Sequence, residues 1–562
     1  MADHTLPRHP PWRLIGAGVA WLGVLALVGW PIVRLVAVAF ESGVDAIAAT
    51  LATPRTAAAI WNSLWTSALV AVSAVVLGTA AALITERAAV PGRRVLRAGM
   101  LVSLIVPPFV GAFGWARAYG PRGLSDQLIG WELPGLYGPI GVVVVLAVAA
   151  TPLAYLIVAG ALANRVEPDL ERAARASGAG RIDAFRTVTL PLLGPAFLAA
   201  GVVAFVFAVN AFGVPAVLGT PAGFATITTS LYQDLARSAD PAAFVRAATL
   251  AGTLVVLALT IIGSADALLG GRGSVRTAHT GGATRRGAGG WALALALGTA
   301  LVATKVVPLV AVALTALTRA IGLAPVPANW TFANFAEALD PRLAGGLANS
   351  FILAIAAATI VLLLGGLVVA VSGRRPRGGQ TRGRGDRRSG WQVVGTLATL
   401  GFAVPGSALA VAVLLAWGGW LRDTLVLILL AYLAKFWALG YRQLAASIDR
   451  LPPDLVRAAR ASGAGAIDAL RSITIPVMRP SILAGWLVVF VFAVHELTMS
   501  SLLHGPGTAT LAVVVLNAQQ LGDPTVSAAL ATILTAVVAA AAVPLGLLAG
   551  RGGGLARLGG GG

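Results

Sequence analysis

The sequence predicts an all-α polytopic membrane protein with 12 transmembrane helices arranged as two parallel six-helix repeats. Three observations carry that expectation. Of 562 residues, 57% are hydrophobic and only 11% charged, less than half the charged share of a soluble globular domain. Apolar runs of about 20 residues, the length that crosses a bilayer core, recur along the chain. A polar segment at 168–191, PDLERAARASGAGRIDAFRTVTLP, returns 285 residues later at 453–476 as PDLVRAARASGAGAIDALRSITIP, with 18 of 24 positions identical. The runs are continuous rather than alternating, which argues against a transmembrane β-barrel.

In chain order, the spans fall near 14–37, 61–84, 98–116, 138–163, 192–213 and 245–269. A second set lies near 291–317, 347–371, 393–417, 424–446, 480–501 and 524–549. The first run follows a short basic flank, Arg8 and Arg13. It is too long for a signal-peptide core and reads as an uncleaved first span. With the N-terminus inside, 30 arginines fall in inside segments and 8 in outside segments or their edges. That bias predicts both termini in the cytoplasm.

Weaker matches extend the repeat. Pro54-Arg55 and Asn62-Ser63 return as Pro341-Arg342 and Asn349-Ser350, and the FVFAV at 205–209 returns at 490–494. Parallel halves need an even number of spans each. The expected division is therefore 1–269 for the first repeat, 270–290 for a cytoplasmic linker, 291–550 for the second repeat and 551–562 for a Gly-rich tail.

Composition excludes several function classes. There is no cysteine, hence no disulfide and no thiolate metal site. The five histidines are scattered, without metal-ligand spacing or a carboxylate cluster, so no metal site is expected. The net charge of +19 lies between apolar runs, where it orients spans rather than binding nucleic acid. Residues 373–390, rich in Gly and Arg, read as a disordered positive-inside anchor.

Each copy of the repeated segment reads as helix, turn and helix, on the cytoplasmic side. Asp169 and Asp454 follow a proline and are expected to cap the first helix. Leu170, Ala173, Ala174 and Ser177 recur at helical spacing, as do Leu455, Ala458, Ala459 and Ser462. They form a narrow small-residue stripe that permits close approach by another surface. Arg172, Arg175, Arg457 and Arg460 fall outside it. Gly178 and Gly463 end the helix where a left-handed residue is wanted. The second helix carries Ile182, Phe185 and Val188, matched by Ile467, Leu470 and Ile473, and Pro191 and Pro476 are expected to stop it.

With Ala173-Ala174, Gly178 and Thr189-Leu190-Pro191, and again Ala458-Ala459, Gly463 and Thr474-Ile475-Pro476, the segment resembles the EAA loop. That loop belongs to permease subunits of binding-protein-dependent ABC importers. The resemblance covers the whole chain in topology and is that of a fused, type I importer permease. It implies coupling helices that dock on two copies of an ABC ATPase subunit, and a periplasmic substrate-binding protein on the other side of a bacterial inner membrane. The family's glutamate falls on Arg172 and Arg457 here, with Glu171 one place earlier in the first copy only. Docking is therefore expected through the alanine stripe and glycine turn, without that carboxylate. Neither lysine of the chain, Lys305 or Lys435, follows a glycine, so no phosphate-binding P-loop is present. The chain is expected to be no enzyme and to bind no cofactor, with ATP used by the partner subunits.

Ionisable groups in spans are functional candidates. His495 and Glu496 lie near the outer end of the eleventh span, with Asn210 the first-half counterpart of His495. These three are expected to line a polar substrate path, with Asn62 and Asn349 as further candidates or as helix–helix hydrogen bonders. Lys435 is expected to snorkel or to pair. The stretches Phe212–Gly223 and His495–Thr510 resemble the iron(III) branch of fused permeases, which implies iron(III) as substrate; thiamine, phosphonate and polyamine importers share the architecture. An ion-coupled transporter of the major facilitator type also has two parallel six-span halves, and Glu86–Gly99 resembles its signature loop. The strongest repeat, however, lies between spans four and five, which favours the importer.

Overall fold

The computed structural model describes residues 11–41, 43–102, 104–164, 168–238, 240, 242–269, 288–372, 401 and 404–558. Arg8, most of the expected linker, the Gly/Arg segment 373–390, the start of the ninth expected span and the last four glycines lie outside them, as do the side chains of Arg460 and Ile467. Among the described residues the regular structure is helical, apart from one isolated bridge between Thr318 and Trp330.

The first-half helices are α1 (Pro11–Val24), α2 (Trp30–Glu41), α3 (Gly43–Ala52), α4 (Pro54–Glu86), α5 (Arg93–Val102), α6 (Pro108–Tyr119), α7 (Leu124–Ile129) and α8 (Pro139–Asn164). They continue as α9 (Pro168–Ala176), α10 (Arg181–Ala184), α11 (Leu190–Val209), α12 (Ile227–Ala236) and α13 (Ala242–Leu269). The second half holds α14 (Ala288–Leu301), α15 (Val307–Leu317), α16 (Ala333–Ala338), α17 (Pro341–Ser372), α18 (Gly406–Leu421) and α19 (Leu425–Arg450). It ends with α20 (Pro453–Ala461), α21 (Ala466–Ala469), α22 (Ile475–Val494), α23 (Thr498–Leu503), α24 (Leu511–Gln520) and α25 (Pro524–Leu558).

Among the described residues 10 helical stretches are long and apolar enough to cross a membrane, and they coincide with ten of the expected spans. The third expected span, 98–116, is instead two helices, α5 and α6. Pro107 is extended (ψ 132°) ahead of Pro108, because a proline ring disfavours helical geometry at the residue before it. Within the ninth, α18 begins at Gly406, after an extended Pro405 (ψ 137°).

The chain forms two compact units that differ from the sequence repeats. One comprises residues 1–41, 344–513 and 536–562; the other comprises 42–343 and 514–535. Each unit thus takes the first span of one half together with later spans of the other. In the first unit α2 packs on α18, and in the second α15 packs on α6.

Small residues set these packings. The buried face of α4 carries Ala59, Ser63, Ser67, Ala71, Ala74, Gly78, Ala81 and Ala82, while Trp61, Leu69, Val72 and Val76 face out. Helices approach closely in a membrane where small residues meet. A Cβ on Gly78 would lie 2.7 Å from the Tyr155 amide nitrogen, and one on Gly365 2.9 Å from that of Tyr441. The same close contact is therefore built once in each unit.

Of five wide turns among the described residues, the four at Leu25–Gly29, Phe185–Thr189, Val302–Val306 and Leu470–Thr474 each precede by one residue a proline that lies in a continuing α-helix. The prolines are Pro31, Pro191, Pro308 and Pro476. Each turn closes by an i+5 bond, for example from the Leu190 N–H to the Phe185 carbonyl. The widened turn lets the helix continue past a residue with no N–H. The carbonyls freed near Pro308 find other donors: Thr304 accepts from the Trp115 indole at 3.2 Å, and Ala303 from the Tyr119 hydroxyl at 2.5 Å.

Pro152, inside α8, likewise leaves the Val148 carbonyl without its helical donor. The Lys305 ammonium supplies one, at 3.0 Å. Lys305→Met is expected to destabilise the chain by about 1–3 kcal/mol, the cost of an orphaned carbonyl. Adding Pro152→Ala should recover most of the loss by restoring an N–H. Thermal unfolding of both variants in detergent measures this; equal loss with and without Pro152→Ala would refute the assignment.

Candidate functional site

The two repeated segments fold alike. Helix α9 begins at Pro168 and α20 at Pro453, each with proline in the first turn, where a missing N–H costs nothing. Asp169 and Asp454 therefore lie inside the first turn rather than capping it. Their carboxylates pair with Arg172 at 2.8 Å and Arg457 at 3.3 Å, one turn on. Placed there, they still oppose the positive end of the helix dipole.

Both helices end on a left-handed glycine. Gly178 has φ +95° and Gly463 φ +86°. Past each glycine an N–H returns to the helix: Ala179 to the Ala174 carbonyl at 3.1 Å, and Ala464 to Ala459 at 3.0 Å. This is the six-to-one bond of a left-handed helix stop. The stripe read from the sequence is open to solvent. Leu170 and Leu455 are 44% and 42% exposed, Ala173 and Ala458 are exposed, and Ala174 and Ala459 are half-buried. Arg172 and Arg457 are exposed as well.

The sequence expectation fails after the turn. Pro191 and Pro476 do not stop the second helix. The chain runs helically from Ile182 to Val209 and from Leu470 to Val494, because the wide turn absorbs the missing proline N–H. Each projecting element is therefore continuous with a span. Its buried anchor is an alanine, Ala184 or Ala469, which the pattern of large apolar residues did not mark.

The candidate path residues divide into two groups. Asn62 and Asn349 tie their helices to the loops that lead into α12 and α24. Asn62 donates to the Ala225 carbonyl at 2.9 Å, and Asn349 to those of Gly507 at 3.0 Å and Ala509 at 2.9 Å. The neighbouring serines accept from the same loops, Ser63 from the Ile227 N–H and Ser350 from the Leu511 N–H, both at 2.9 Å. The Asn-Ser repeat in the sequence is thus one device used twice.

Asn210, His495 and Glu496 lie where α11 and α22 end. The Asn210 amide donates to the Val206 carbonyl at 2.7 Å, and its oxygen is buried without a partner. The His495 ring lies against Phe492, centroids 5.9 Å apart. Glu496 accepts from the N–H groups of Met499 (2.9 Å) and Ser500 (3.1 Å) and from the Ser500 hydroxyl (3.3 Å). It is the anionic cap of α23. The Tyr432 hydroxyl meets that of Ser500 at 2.7 Å. On the same helix as Tyr432, Lys435 donates to the Val404 carbonyl at 2.5 Å, ahead of Pro405, and is attracted by Glu496. Its ammonium is thus held by a backbone carbonyl. Neither Tyr432 nor Ser500 stood out in the sequence, since their contact joins residues 68 apart in the chain. Among the described residues no cluster of His, Asp and Glu has the makings of a metal site.

A helical membrane protein that carries the same solvent-exposed element twice, each continuous with a span, has the build of a transport permease with two internal copies of one unit. Residues 56–266 and 384–551 match the binding-protein-dependent transport system inner membrane component family, and the chain belongs to that family. The two matched segments fall on the two sequence repeats.

Relatives that align with most of the chain are about a quarter identical to it over the aligned residues. The ferric transport system permease protein FbpB of Actinobacillus pleuropneumoniae is 26% identical over 86% of this chain and 69% of its own length. The probable ABC transporter permease protein y4fN of Sinorhizobium fredii is 25% identical over 92% of this chain and 94% of its own. The molybdenum transport system permease protein ModB of Mycobacterium tuberculosis is 32% identical over 45% of this chain and 95% of its own. It is similar to a single half.

Proposed function

We propose that the chain is the transmembrane permease subunit of an ATP-driven importer for iron(III), delivered by a periplasmic binding protein. The carrying observation is the pair of exposed helix–glycine–helix elements, each continuous with a span. That geometry suits two copies of an ATPase subunit, one per element, whose approach on binding ATP moves α11 and α22. Both termini and both elements lie on the cytoplasmic side in this reading, which the distribution of arginine supports. Repeats 1–269 and 291–550, joined through 270–290, act as the two half-permeases. This chain binds no cofactor of its own, and ATP is hydrolysed by the partners. Asn62, Asn210, Asn349, His495 and Glu496 are the candidates for lining the substrate path in this reading.

Iron(III) is favoured because the relatives named for ferric transport align with most of the chain. Those named for molybdenum align with less than half of it. Reconstitution in liposomes tests the reading. Iron(III) uptake is expected only when the chain, its ATPase subunit, ATP and the iron-loaded binding protein are all present. Proton-driven uptake by the chain alone would overturn it.

A further inference from the structure

The two docking elements share a backbone and differ in attachment. In the first, the Glu171 carboxylate lies 3.4 Å from Arg87 and also accepts from the Thr189 hydroxyl. Thr189 is buried in the wide turn that leads into α11. Arg87 is the residue at which α4 ends. Its neighbour Glu86 accepts from Arg93 at 3.0 Å, from Arg97 at 2.8 Å and from the Tyr155 hydroxyl at 3.3 Å.

The Glu86-Arg87 pair is thus a hub at the end of α4. Glu86 gathers α5 and α8, while Arg87 reaches the docking helix α9. In the second element Val456 stands where Glu171 stands in the first, although the threonine is kept as Thr474. A valine side chain accepts no hydrogen bond and carries no charge.

We propose that Glu171 is a positioning residue that makes the first docking element stiff and the second compliant, so that the ATPase stroke reaches the two halves unequally. Through Glu171, movement of α9 is passed at once to α4 and α11. The second element lacks that carboxylate and turns more freely about Gly463. This rests on the reading that α9 and α20 receive the ATPase subunits. The family's own carboxylate position holds Arg172 and Arg457, so Glu171 acts inward, on the permease.

The test is hydrogen exchange on the full chain with its ATPase bound, alongside the ratio of ATP hydrolysed to iron(III) carried. A half-exposed ion pair shifts a local opening equilibrium by no more than about fivefold, and the threonine bond adds to it. Segment 168–178 is expected to exchange on the order of fivefold more slowly than 453–463. Glu171→Gln should remove the difference and raise the ATP cost per iron, with ATPase co-purification unchanged. Glu171→Asp should retain part of the effect, and the exchange Glu171→Arg with Arg87→Glu should restore protection. Equal exchange of the two segments in the unaltered chain would overturn the proposal, as would an unchanged ratio in Glu171→Gln. Failure of the unaltered chain to bind the ATPase at all would instead overturn the docking reading.

Discussion

Replacing Gly178 and Gly463 together by proline abolishes ATPase association while the chain still inserts: this is the expected result with the largest effect on function. The reason is torsional. Both glycines sit at positive φ, +95° and +86°, and proline is confined to about −65°. A Cβ at either site would meet no atom within 4 Å, so crowding plays no part. A graded series follows. Alanine, which reaches the left-handed region at a cost of about 1–2 kcal/mol, should weaken co-purification of the ATPase, with each single variant milder than the pair. Asparagine, which tolerates that region better than other non-glycine residues, should be milder than alanine. Membrane extraction followed by pull-down of the ATPase measures all of these. Unchanged co-purification in the double proline variant would refute the docking role, and an alanine effect equal to that of proline would refute the torsional explanation.

Glu496→Ala is expected to have the second largest effect, on fold and transport together. The carboxylate accepts two backbone N–H groups and one hydroxyl, and it attracts Lys435. Alanine would leave those N–H groups and that hydroxyl without an acceptor, a loss of about 1–3 kcal/mol. Glu496→Gln keeps an acceptor oxygen and loses only the charge, so it should sit between alanine and the parent. Lys435→Met should rescue Glu496→Gln in part, because a neutral partner no longer faces a partly buried cation. Thermal unfolding and iron(III) uptake, read on the same preparations, separate stability from transport. Parental stability and uptake in Glu496→Ala would show that the cap is dispensable.

How much of this was legible beforehand depends on the range of the interaction. Apolar runs, arginine bias and an internal repeat are properties of the chain itself. They fixed the helical membrane class, the repeat and ten of the spans, since a bilayer imposes length and polarity on each segment separately. The left-handed Gly178 and Gly463 were legible for the same reason: a helix stop is local. The proline effects were misjudged. Pro191 and Pro476 read as helix stops, and whether a proline stops or is absorbed depends on a wide turn and on outside donors. Pro107-Pro108, in contrast, broke a span that hydropathy alone had drawn as continuous.

The partners that decided these cases lie far along the chain. Lys305 reaches Val148, Glu171 reaches Arg87, and Asn349 reaches Ala509, none of them at a spacing that a helix or turn would betray. The amino-acid sequence by itself determined that this is a two-repeat helical membrane protein with the same projecting element twice. Only the tertiary structure decided that those elements run unbroken into α11 and α22, that Glu496 caps a helix, and that Glu171 ties the first element to Arg87 and Thr189. Hydropathy and local torsion act residue by residue, whereas satisfying a carbonyl or a carboxylate in a low-dielectric interior requires a donor that folding alone brings into reach.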